Sequence, residues 1–286
     1  MAEPSYNIKD VYKEISTIDC YFYEKDDGSE FTHGSIAKYC PYRQGPKSNV
    51  CFSYLEMARS GVINLLENLK KYNLEYDKLA EYAILFLSYK LKQHSQHKST
   101  NLNTFYTKHI EKNDDYSKNI KVNGLTCKEI IDKKKDLMNT NEIYKFNEAF
   151  SILCKLYNEI NKNKVDCTKY SEKANEFVQN FEKLNDDSSI IGNNSYREIL
   201  STLSNDYDNF KIYCAEKCND CNDLPTLPEI KTPPSKLIPV LSTFSVIPVF
   251  LGIAYKYSLF GVDKLFQRQY LRKKLKKIKK KMKFNI

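Results

Sequence analysis

The 286-residue sequence lacks the short motifs on which common enzyme classes depend. It has no nucleophile elbow, no glycine-rich loop that could cradle a phosphate and no zinc-protease motif. His94 and His97 are three residues apart in "KQHSQH", but without a carboxylate at motif spacing we expect them on a solvated helical face. His33 and His109 stand alone in the sequence. We therefore expect no catalytic residue, no cofactor, no metal ion and no small-molecule substrate.

Proline is absent from positions 47 to 224, although the chain has nine prolines. A gap of this length is typical of a mainly helical domain, because proline interrupts helices. The alternation of apolar and polar residues that marks strands is almost absent as well, and no internal repeat is visible. These absences predict an all-α fold class, a helical bundle that we expect to be braced by disulfides because the chain has nine cysteines.

Seven segments carry the apolar spacing of helices. One of them contains "YAILFLSY", which is apolar on nearly every side and therefore predicts the central helix of the bundle; it is too short to span a membrane. Two pairs fit the capping box at a helix start, Thr126 with Glu129 and Ser195 with Glu198. The predicted helices lie near residues 51–71, 76–92, 102–112, 127–139, 142–162, 168–184 and 195–214.

Charged residues are absent from positions 237 to 255, the only long apolar stretch of the chain. A helix of these nineteen residues would be roughly 28 Å long, about the thickness of the hydrocarbon core of a bilayer. Pro239 and Pro248 would destabilise a soluble helix but are tolerated in lipid. The alternative is a buried helix of a soluble domain, which would normally be amphipathic. We predict a single transmembrane helix over residues 237–259.

Acidic residues are nearly absent after Gly261, and this asymmetry accounts for the formal net charge of +9. From Gly261 onward eleven lysines and arginines accompany a single acid, Asp263, whereas residues 1–235 sum to −3. A mildly acidic body does not support binding to nucleic acid. Because the flank richer in Lys and Arg tends to stay in the cytoplasm, we expect the carboxyl end inside and the large amino-terminal part outside or lumenal.

The chain also begins without the apolar core of a cleavable signal peptide, since its first residues read "MAEPSYNIKDVYKEISTIDC". We therefore expect the late span to act as its own targeting signal. A tail-anchored protein with a cytosolic body is the rival topology, but it would move about ten positive charges across the membrane. Between body and span, the proline-rich segment 222–236 predicts a short, stiff, extended stalk.

The basic tail carries a helical pattern of its own. Four apolar residues are spaced +4, +3 and +4, so a helix would align Leu271, Leu275, Ile278 and Met282 on one side, surrounded by lysines. Such a helix could lie on an anionic inner leaflet, where each cation contributes roughly 1 kcal/mol. The charges could instead act only as a topology signal, or dock onto an acidic cytoskeletal partner. The residues predicted to contact the membrane surface are Arg272, Lys273, Lys274, Lys276, Lys277, Lys279, Lys280 and Lys281.

All nine cysteines precede the predicted span. This distribution agrees with the topology inferred from charge, because disulfides form in the secretory path and outside cells. Nine is an odd number, so at least one cysteine must stay free or pair with another molecule. The connectivity stays open, although the spacing favours Cys40 with Cys51 and Cys154 with Cys167 as local closures. The disulfide candidates are Cys20, Cys40, Cys51, Cys127, Cys154, Cys167, Cys214, Cys218 and Cys221.

The cysteine cluster "CAEKCNDC" at 214–221 has the spacing by which radical enzymes hold an iron–sulfur cluster. Such a site belongs in a reducing compartment, whereas this cluster ends a predicted helix and runs into the predicted stalk. Zinc is also disfavoured, since no histidine or fourth cysteine lies near at ligand spacing. We expect disulfides here and keep a lumenal metal or redox enzyme as the third functional hypothesis.

Several segments together carry a family pattern: "LAEYAILFLSYKLKQHS", "FYTKHIEKN", "FNEAFSILCKLYNEI" and "SKLIPVLSTFSVIPVFLGIAYKYSLFG". They resemble the Plasmodium interspersed repeat (PIR) variant antigens, the Cir/Yir/Bir type of rodent malaria parasites, in order from about Cys20 to Lys281. The resemblance implies parasite surface proteins that vary among copies and take part in immune evasion or adhesion, and it offers no catalytic residues. This chain departs from the family in its short stalk and in Cys20, where we expect Asn in close relatives; Cys20 is therefore an extra thiol.

The leading hypothesis is a non-enzymatic, single-pass membrane variant surface antigen of a malaria parasite. It comprises a helical ectodomain over 1–221, a stalk over 222–236, a transmembrane helix over 237–259 and a basic cytoplasmic tail over 260–286. We expect it on the infected red cell or parasite surface, with host proteins or antibodies as unidentified partners. The alternative is an intracellular membrane adaptor with a cytosolic helical body and a tail anchor, which predicts nine reduced cysteines.

Overall fold

The computed structural model describes residues 7–24, 30–117, 124–160, 168–233 and 264–280. The chain divides into two compact units, Met1–Pro233 and Pro234–Ile286, and each is described by itself. We call the first unit the body. Its described part is mostly helical, so the helical fold class is confirmed there.

Eleven helices and two β-hairpins make up the described part of the body. The helices are α1 (Ile8–Asp19), α2 (Gly34–Ala37), α3 (Tyr54–Leu69), α4 (Tyr76–Gln93), α5 (Leu102–Phe105), α6 (Asp114–Ser117), α7 (Cys127–Asp132), α8 (Asn147–Ile160), α9 (Thr168–Asp186), α10 (Ser188–Ile191) and α11 (Asn194–Ala215). The strands are β1 (Phe22–Glu24), β2 (Glu30–Thr32), β3 (Tyr42–Arg43) and β4 (Ser48–Asn49).

Helix α4 is the central helix of the body, as its apolar sequence predicts. Leu85, Phe86 and Leu87 are consecutive, so they point to different sides of the helix, yet all three are buried. Helices α3, α7 and α8 pack around it. A helix with apolar side chains on all sides keeps them out of water only when neighbouring elements cover every side.

A buried polar network joins four of these helices. The side-chain Oδ2 of Asp206 on α11 accepts hydrogen bonds from the hydroxyls of Tyr12 on α1, at 2.8 Å, and Tyr82 on α4, at 2.9 Å. Tyr157 on α8 donates to the backbone carbonyl of Asp206 at 2.7 Å and stacks on Tyr12 with ring centroids 4.4 Å apart. Because a buried carboxyl group requires hydrogen-bond partners, the network sets how these helices meet.

The seven predicted helices all coincide with helical structure, but several are interrupted. The segment predicted over 102–112 consists of α5 and a π-helical turn, and the segment over 127–139 consists of α7 and a 3-10 turn. Apolar spacing does not distinguish these tighter or wider turns from an α-helix, because all of them align residues three to five apart. The additional turns are Lys70–Tyr72, Tyr106–Ile110, Lys135–Met138, Glu142–Phe146 and Asn219–Asp223.

One predicted capping box is confirmed and the other was wrong. The Thr126 hydroxyl accepts from the Glu129 backbone N–H at 3.1 Å, and the Glu129 carboxylate accepts from the Thr126 backbone N–H at 2.7 Å. Helix α11 is capped instead by Asn193, whose side-chain oxygen accepts from the Ser195 N–H at 2.9 Å. Asparagine is as good an N-cap as serine, so it begins the helix earlier and leaves Glu198 to pair with a lysine of another segment.

Helix α1 was missed by the sequence analysis although its signals are local. Ile8, Tyr12 and Ile15 are buried at spacings of four and three, and Asn7 caps the helix by accepting from the Lys9 N–H at 3.0 Å. The helix packs against α3 and α8. It therefore belongs to the core rather than to a leading arm.

The two hairpins were also missed. In the first, β1 pairs antiparallel with β2 and places Tyr23 opposite Phe31; in the second, β3 pairs with β4 and places Tyr42 opposite Asn49. Strands of two or three residues are too short to show an alternating pattern in sequence. The near absence of alternation therefore did not exclude them.

The proline-rich segment predicted as a stalk is extended, but its described part lies against the body. Leu224 is buried in the core, the Tyr207 hydroxyl donates to the Pro225 carbonyl at 2.9 Å, and the Asn185 side chain donates to the Glu229 carbonyl at 2.8 Å. Prolines keep the segment extended, its apolar side chains pack with the core, and these hydrogen bonds join it to α9 and α11. The last three residues of the predicted stalk lie outside the described residues.

The described part of the second unit is one helix, α12, over residues 264–280, and its side chains are exposed throughout. Residues 234–263 lie outside the described residues, and with them the transmembrane helix predicted over 237–259. Within the described ranges no helix has both the length and the apolar character needed to cross a bilayer. The predicted span stays a prediction.

Candidate functional site

An open cleft of about 600 Å³ lies where the first hairpin meets the end of α4 and the start of α3. We call it the aromatic cleft. One wall is formed by Tyr23 and Phe31, which lie opposite each other in the hairpin with ring centroids 5.7 Å apart. The middle residues of the two hairpin strands thus present two adjacent rings to the cleft.

Phe52 belongs to a second side of the cleft and is 68% exposed. The guanidinium of Arg43 lies 4.5 Å from the centroid of its ring and is held by the Glu56 carboxylate at 2.7 Å. Glu56 also accepts from the backbone N–H of Phe52 at 2.7 Å. An exposed phenyl ring is thereby fixed in position by its neighbours rather than by burial.

Tyr54, His94 and His97 form a stack along the cleft. The Tyr54 ring lies 4.2 Å from that of His94 and 5.9 Å from that of His97, and the Tyr54 hydroxyl donates to the Lys90 backbone carbonyl at 2.8 Å. This arrangement corrects the expectation that the two histidines share a solvated helical face. Helix α4 ends at Gln93, and the extended backbone of His94 turns the chain back toward Tyr54.

His94 also has a carboxylate partner, although the sequence places no carboxylate at motif spacing from it. Its Nε2 contacts the Glu30 carboxylate on β2, and its Nδ1 accepts from the backbone N–H of Gln96 at 3.2 Å. Both ring nitrogens are engaged, so His94 is not placed to act as a base toward Ser53 or Ser95, which also line the cleft. The pair is a structural one.

The remaining charge in the cleft is also neutralised. Lys90 is buried, its ammonium lies 2.6 Å from the Asp19 carboxylate and 3.0 Å from the Gln93 side-chain oxygen, and it sits 4.4 Å from the centroid of the Phe22 ring. Burial and, next, the neighbouring His94 lower the pKa of His97, which disfavours its charged form. The cleft is therefore polar without an unpaired charge of either sign among the described side chains.

A disulfide closes the second hairpin beside the cleft. Cys40 and Cys51 are bonded across eleven positions, one of the two local closures that spacing favours. The Asn49 side chain donates to the Cys40 carbonyl at 2.8 Å. The bond ties the segment after α2 to the start of α3, so it supports the loop that carries Phe52.

Near the carboxyl end of the body, Cys214 and Cys221 are bonded to each other, and Cys218 is disulfide-bonded as well. Thiolates consumed in disulfides are not available to an iron–sulfur cluster. The predicted closure of Cys154 with Cys167 was wrong, because Cys154 carries a free thiol on the buried face of α8. Cys167 itself lies outside the described residues.

Three free thiols differ sharply in their surroundings. Cys127 and Cys154 are buried, and burial raises the pKa of both thiols well above the ordinary value. Cys20 is exposed at the end of α1. Of these three, Cys20 is the one that a soluble thiol reagent can reach.

Helix α12 carries most of the residues predicted to contact a membrane surface. Arg272, Lys273, Lys274, Lys276, Lys277, Lys279 and Lys280 are exposed on it, whereas Lys281 and Met282 lie outside the described residues. Leu275 and Ile278 are 60% and 48% exposed. The helix thus presents an apolar stripe beside cations, as its spacing predicts, without a covering partner among the residues described for its unit.

The aromatic cleft was not found from the sequence. Glu30 and His94 are 64 positions apart, and no local motif connects them. The available signal was a run of rings near the start of the chain, including Tyr21, Phe22 and Tyr23, in a region without a predicted helix. Such a density of aromatic residues outside a helix points to a surface feature, but not to its partners.

Comparisons with known proteins agree on one family. The sequence profile described as Plasmodium variant antigen protein Cir/Yir/Bir matches residues 12–256. Among solved structures, the chain is similar to a Plasmodium PIR protein ectodomain, at 34% identity and a TM-score of 0.61, over 79% of this chain and 99% of that one. No match was found among curated protein sequences. The profile thus extends from within α1 through α11 into the region predicted to span a membrane.

Proposed function

Because this chain belongs to the Plasmodium variant antigen family Cir/Yir/Bir, we propose that it is a non-enzymatic variant surface antigen with a single membrane span. In this proposal the body is an ectodomain on the infected red cell or parasite surface, residues 237–259 cross the membrane, and residues 260–286 are cytoplasmic. Exposure to the host gives the body its role in immune evasion or host interaction.

The likeness of the body to a solved PIR protein ectodomain carries this proposal. That relative is an ectodomain, and the likeness includes nearly all of it. Related domains that depend on disulfides remain in oxidising compartments, because reduction removes the bonds that brace them. We therefore place the body of this chain on the corresponding side of the membrane.

The cysteines supply independent support. The pairs Cys40–Cys51 and Cys214–Cys221 lie near the two ends of the body, and no cysteine follows the predicted span. A cytosolic adaptor would keep its thiols reduced, so the two pairs favour an ectodomain over that alternative. The charge of α12 points the same way, since cations beside a span favour the cytoplasmic side.

The tail has a second part in this proposal. The cations of α12 surround a narrow apolar stripe that includes Leu271, Leu275 and Ile278. A helix of this kind can lie on an anionic inner leaflet, with the stripe in the acyl boundary and the cations near headgroups. This contact would hold the tail on the membrane in addition to the span.

Cys20 offers a direct test of topology, because among the described cysteines of the body it is the one that is both free and exposed. Intact cells that express the full chain are treated with a maleimide that does not cross membranes. We expect labelling that disappears in the matched variant Cys20→Ser, since Cys127 and Cys154 are buried. Labelling of Cys20 only after permeabilisation would reject surface display.

A tag fused after Ile286 tests the other side of the membrane. We expect it to be protected from external protease on intact cells while the body is cleaved. Extraction with alkaline carbonate tests the span itself, because an integral protein stays with the membrane pellet. A tag accessible from outside, or a chain released into the carbonate supernatant, contradicts the single-span topology.

A further inference from the structure

The aromatic cleft keeps large rings at the surface in a body that buries most of its aromatic side chains. Tyr23 and Phe52 are 50% and 68% exposed, whereas rings such as Tyr82 and Phe86 are fully buried. Exposed rings that gather around one concavity mark a binding site more often than scattered ones do. The volume of about 600 Å³ falls within the range of about 300–1,000 Å³ that is usual for small-ligand sites.

The charges of the cleft, taken over the described lining residues, favour a neutral ligand. Glu30 is paired with His94, and Lys90 is paired with Asp19. A cationic ligand would have to compete with His94 for the carboxylate, and an anionic ligand would have to compete with Asp19 for the buried ammonium. Separating a partly buried ion pair leaves an uncompensated charge, so neither exchange is favourable.

The cleft nevertheless retains hydrogen-bonding capacity. Among the described residues, the ring nitrogens of His97 and the side-chain amide of Gln96 have no hydrogen-bond partner, and neither does the second carboxylate oxygen of Glu30. Together these groups offer donors and acceptors side by side. A purely apolar ligand would remove them from water without replacing those bonds, which is unfavourable.

We propose that the aromatic cleft binds a neutral carbohydrate, with the rings of Tyr23 and Phe52 packing on sugar faces and Glu30, Gln96 and His97 bonding to hydroxyls. One face of many sugar rings presents C–H bonds, which pack on the electron-rich face of an aromatic ring. Each hydroxyl donates and accepts, so it matches the mixed groups of the cleft. The combination of ring faces, paired charges and free polar groups fits this class better than a lipid or a basic peptide.

This inference adds a ligand class to the proposed surface antigen and rests on that function only for its biological use. Binding by the purified full chain does not depend on which side of a membrane the body occupies. Failure of sugar binding would leave the topology experiments unaffected. Failure of the topology experiments would leave measured sugar binding in place.

The test uses the full chain, purified in detergent micelles, and titration calorimetry with neutral disaccharides: lactose, maltose, cellobiose and chitobiose. We expect at least one to bind with a dissociation constant in the millimolar range, as a shallow and open site permits. Phe52→Ala and Tyr23→Ala should each weaken that binding by about tenfold. Tyr42→Ala is the matched control, because Tyr42 is 58% exposed on β3 but does not line the cleft; it should bind as the parent does.

Three outcomes would overturn the proposal. The first is that none of the four disaccharides binds to the folded chain, with folding verified by circular dichroism. The second is that trilysine or the anionic citrate binds as tightly as the best neutral disaccharide, since the paired charges then would not select a neutral ligand. The third is that Tyr42→Ala weakens binding as much as Phe52→Ala, which would place the site elsewhere.

Discussion

Helices α4 and α12 share a backbone geometry and little else. Leu85 and Phe86 of α4 are fully buried, whereas Leu275 and Ile278 of α12 are 60% and 48% exposed. A helix inside a body is stabilised mainly by packing, so α4 can be apolar on all sides. Helix α12 keeps a single apolar stripe among cations, which suits a boundary between water and lipid. The same secondary structure thus serves a core in one unit and a surface in the other.

The largest expected contrast is between an alanine substitution in α4 and one in α12. Phe86→Ala in α4 should lower the free energy of unfolding of the body by about 3–5 kcal/mol, because it leaves a cavity in a packed core. Leu275→Ala in α12 should change it by less than about 0.5 kcal/mol, because its side chain is exposed. Urea unfolding of the full chain in micelles, followed by circular dichroism, measures both. Equal effects would mean that α12 is part of the folded core.

The next contrast is between a buried and an exposed carboxylate. Burial raises the pKa of Asp206 to about 7, and the hydrogen bonds from Tyr12 and Tyr82 offset only part of that rise. The folded body therefore keeps this proton up to about pH 7, while the unfolded chain loses it near pH 3.8. Since the folded state binds more protons in that window, this group's contribution to the free energy of unfolding falls as pH rises from about 4 to about 7, by at most about 4 kcal/mol.

The variant Asp206→Asn cannot lose a proton, so its stability should lack this decline. The comparison is between pH profiles of chemical unfolding for the parent, Asp206→Asn and the exposed control Asp114→Asn. The control should keep the decline. A parent profile that coincides with that of Asp206→Asn from pH 4 to 7 would show that this carboxyl does not control stability there.

A smaller contrast is expected when a disulfide is removed, because the body contains disulfides and the second unit has no cysteine. Replacement of both Cys40 and Cys51 by alanine should lower the free energy of unfolding of the body by about 2–4 kcal/mol, because the bond closes a loop across eleven positions. Cys20→Ser is the matched control and should have no effect, since Cys20 is exposed and unbonded. The helicity of α12 should be the same in the parent and the double variant, because the second unit has no cysteine. Equal stability of the parent and the double variant would show that the Cys40–Cys51 disulfide does not stabilise the body.

The smallest expected effect concerns the cations of α12. In a peptide of residues 264–286, replacement of Lys276 and Lys277 by glutamine should weaken binding to vesicles with anionic lipid by about 2 kcal/mol, or about thirtyfold. Vesicles of neutral lipid should show little difference between the two peptides. Cosedimentation measures both. Equal binding of the two peptides to anionic vesicles would assign the lysines a topology role alone.

Local features of the fold were predictable to the extent that they depend on neighbours in sequence. The burial of "YAILFLSY" and the capping box of Thr126 with Glu129 follow from periodicity and from residue types three positions apart. The second box failed because Asn193 competes for the same helix start. Helix α1 could have been predicted by the same reasoning, since its apolar spacing and its Asn7 cap are local features.

The candidate site was not predictable in this way. His94 and His97 suggested a helical face because they are three apart, but the helix ends before them and the chain turns toward Tyr54. The proline-rich segment predicted a stalk that stands clear of the body, but its residue Leu224 is buried in the core. Both corrections concern where a chain goes after a regular element ends, which sequence periodicity does not describe.

Sequence alone determined the helical class of this protein, the separation of a cysteine-bearing body from a cationic carboxyl end, and the pattern of an amphipathic tail. These properties depend on composition and on residues three or four positions apart, so they can be read without a fold. Tertiary structure alone decided that Glu30 meets His94, that Asp206 lies between Tyr12 and Tyr82, and which thiols remain free. Contacts between distant positions arise when the whole chain packs at high density, and no local pattern specifies them.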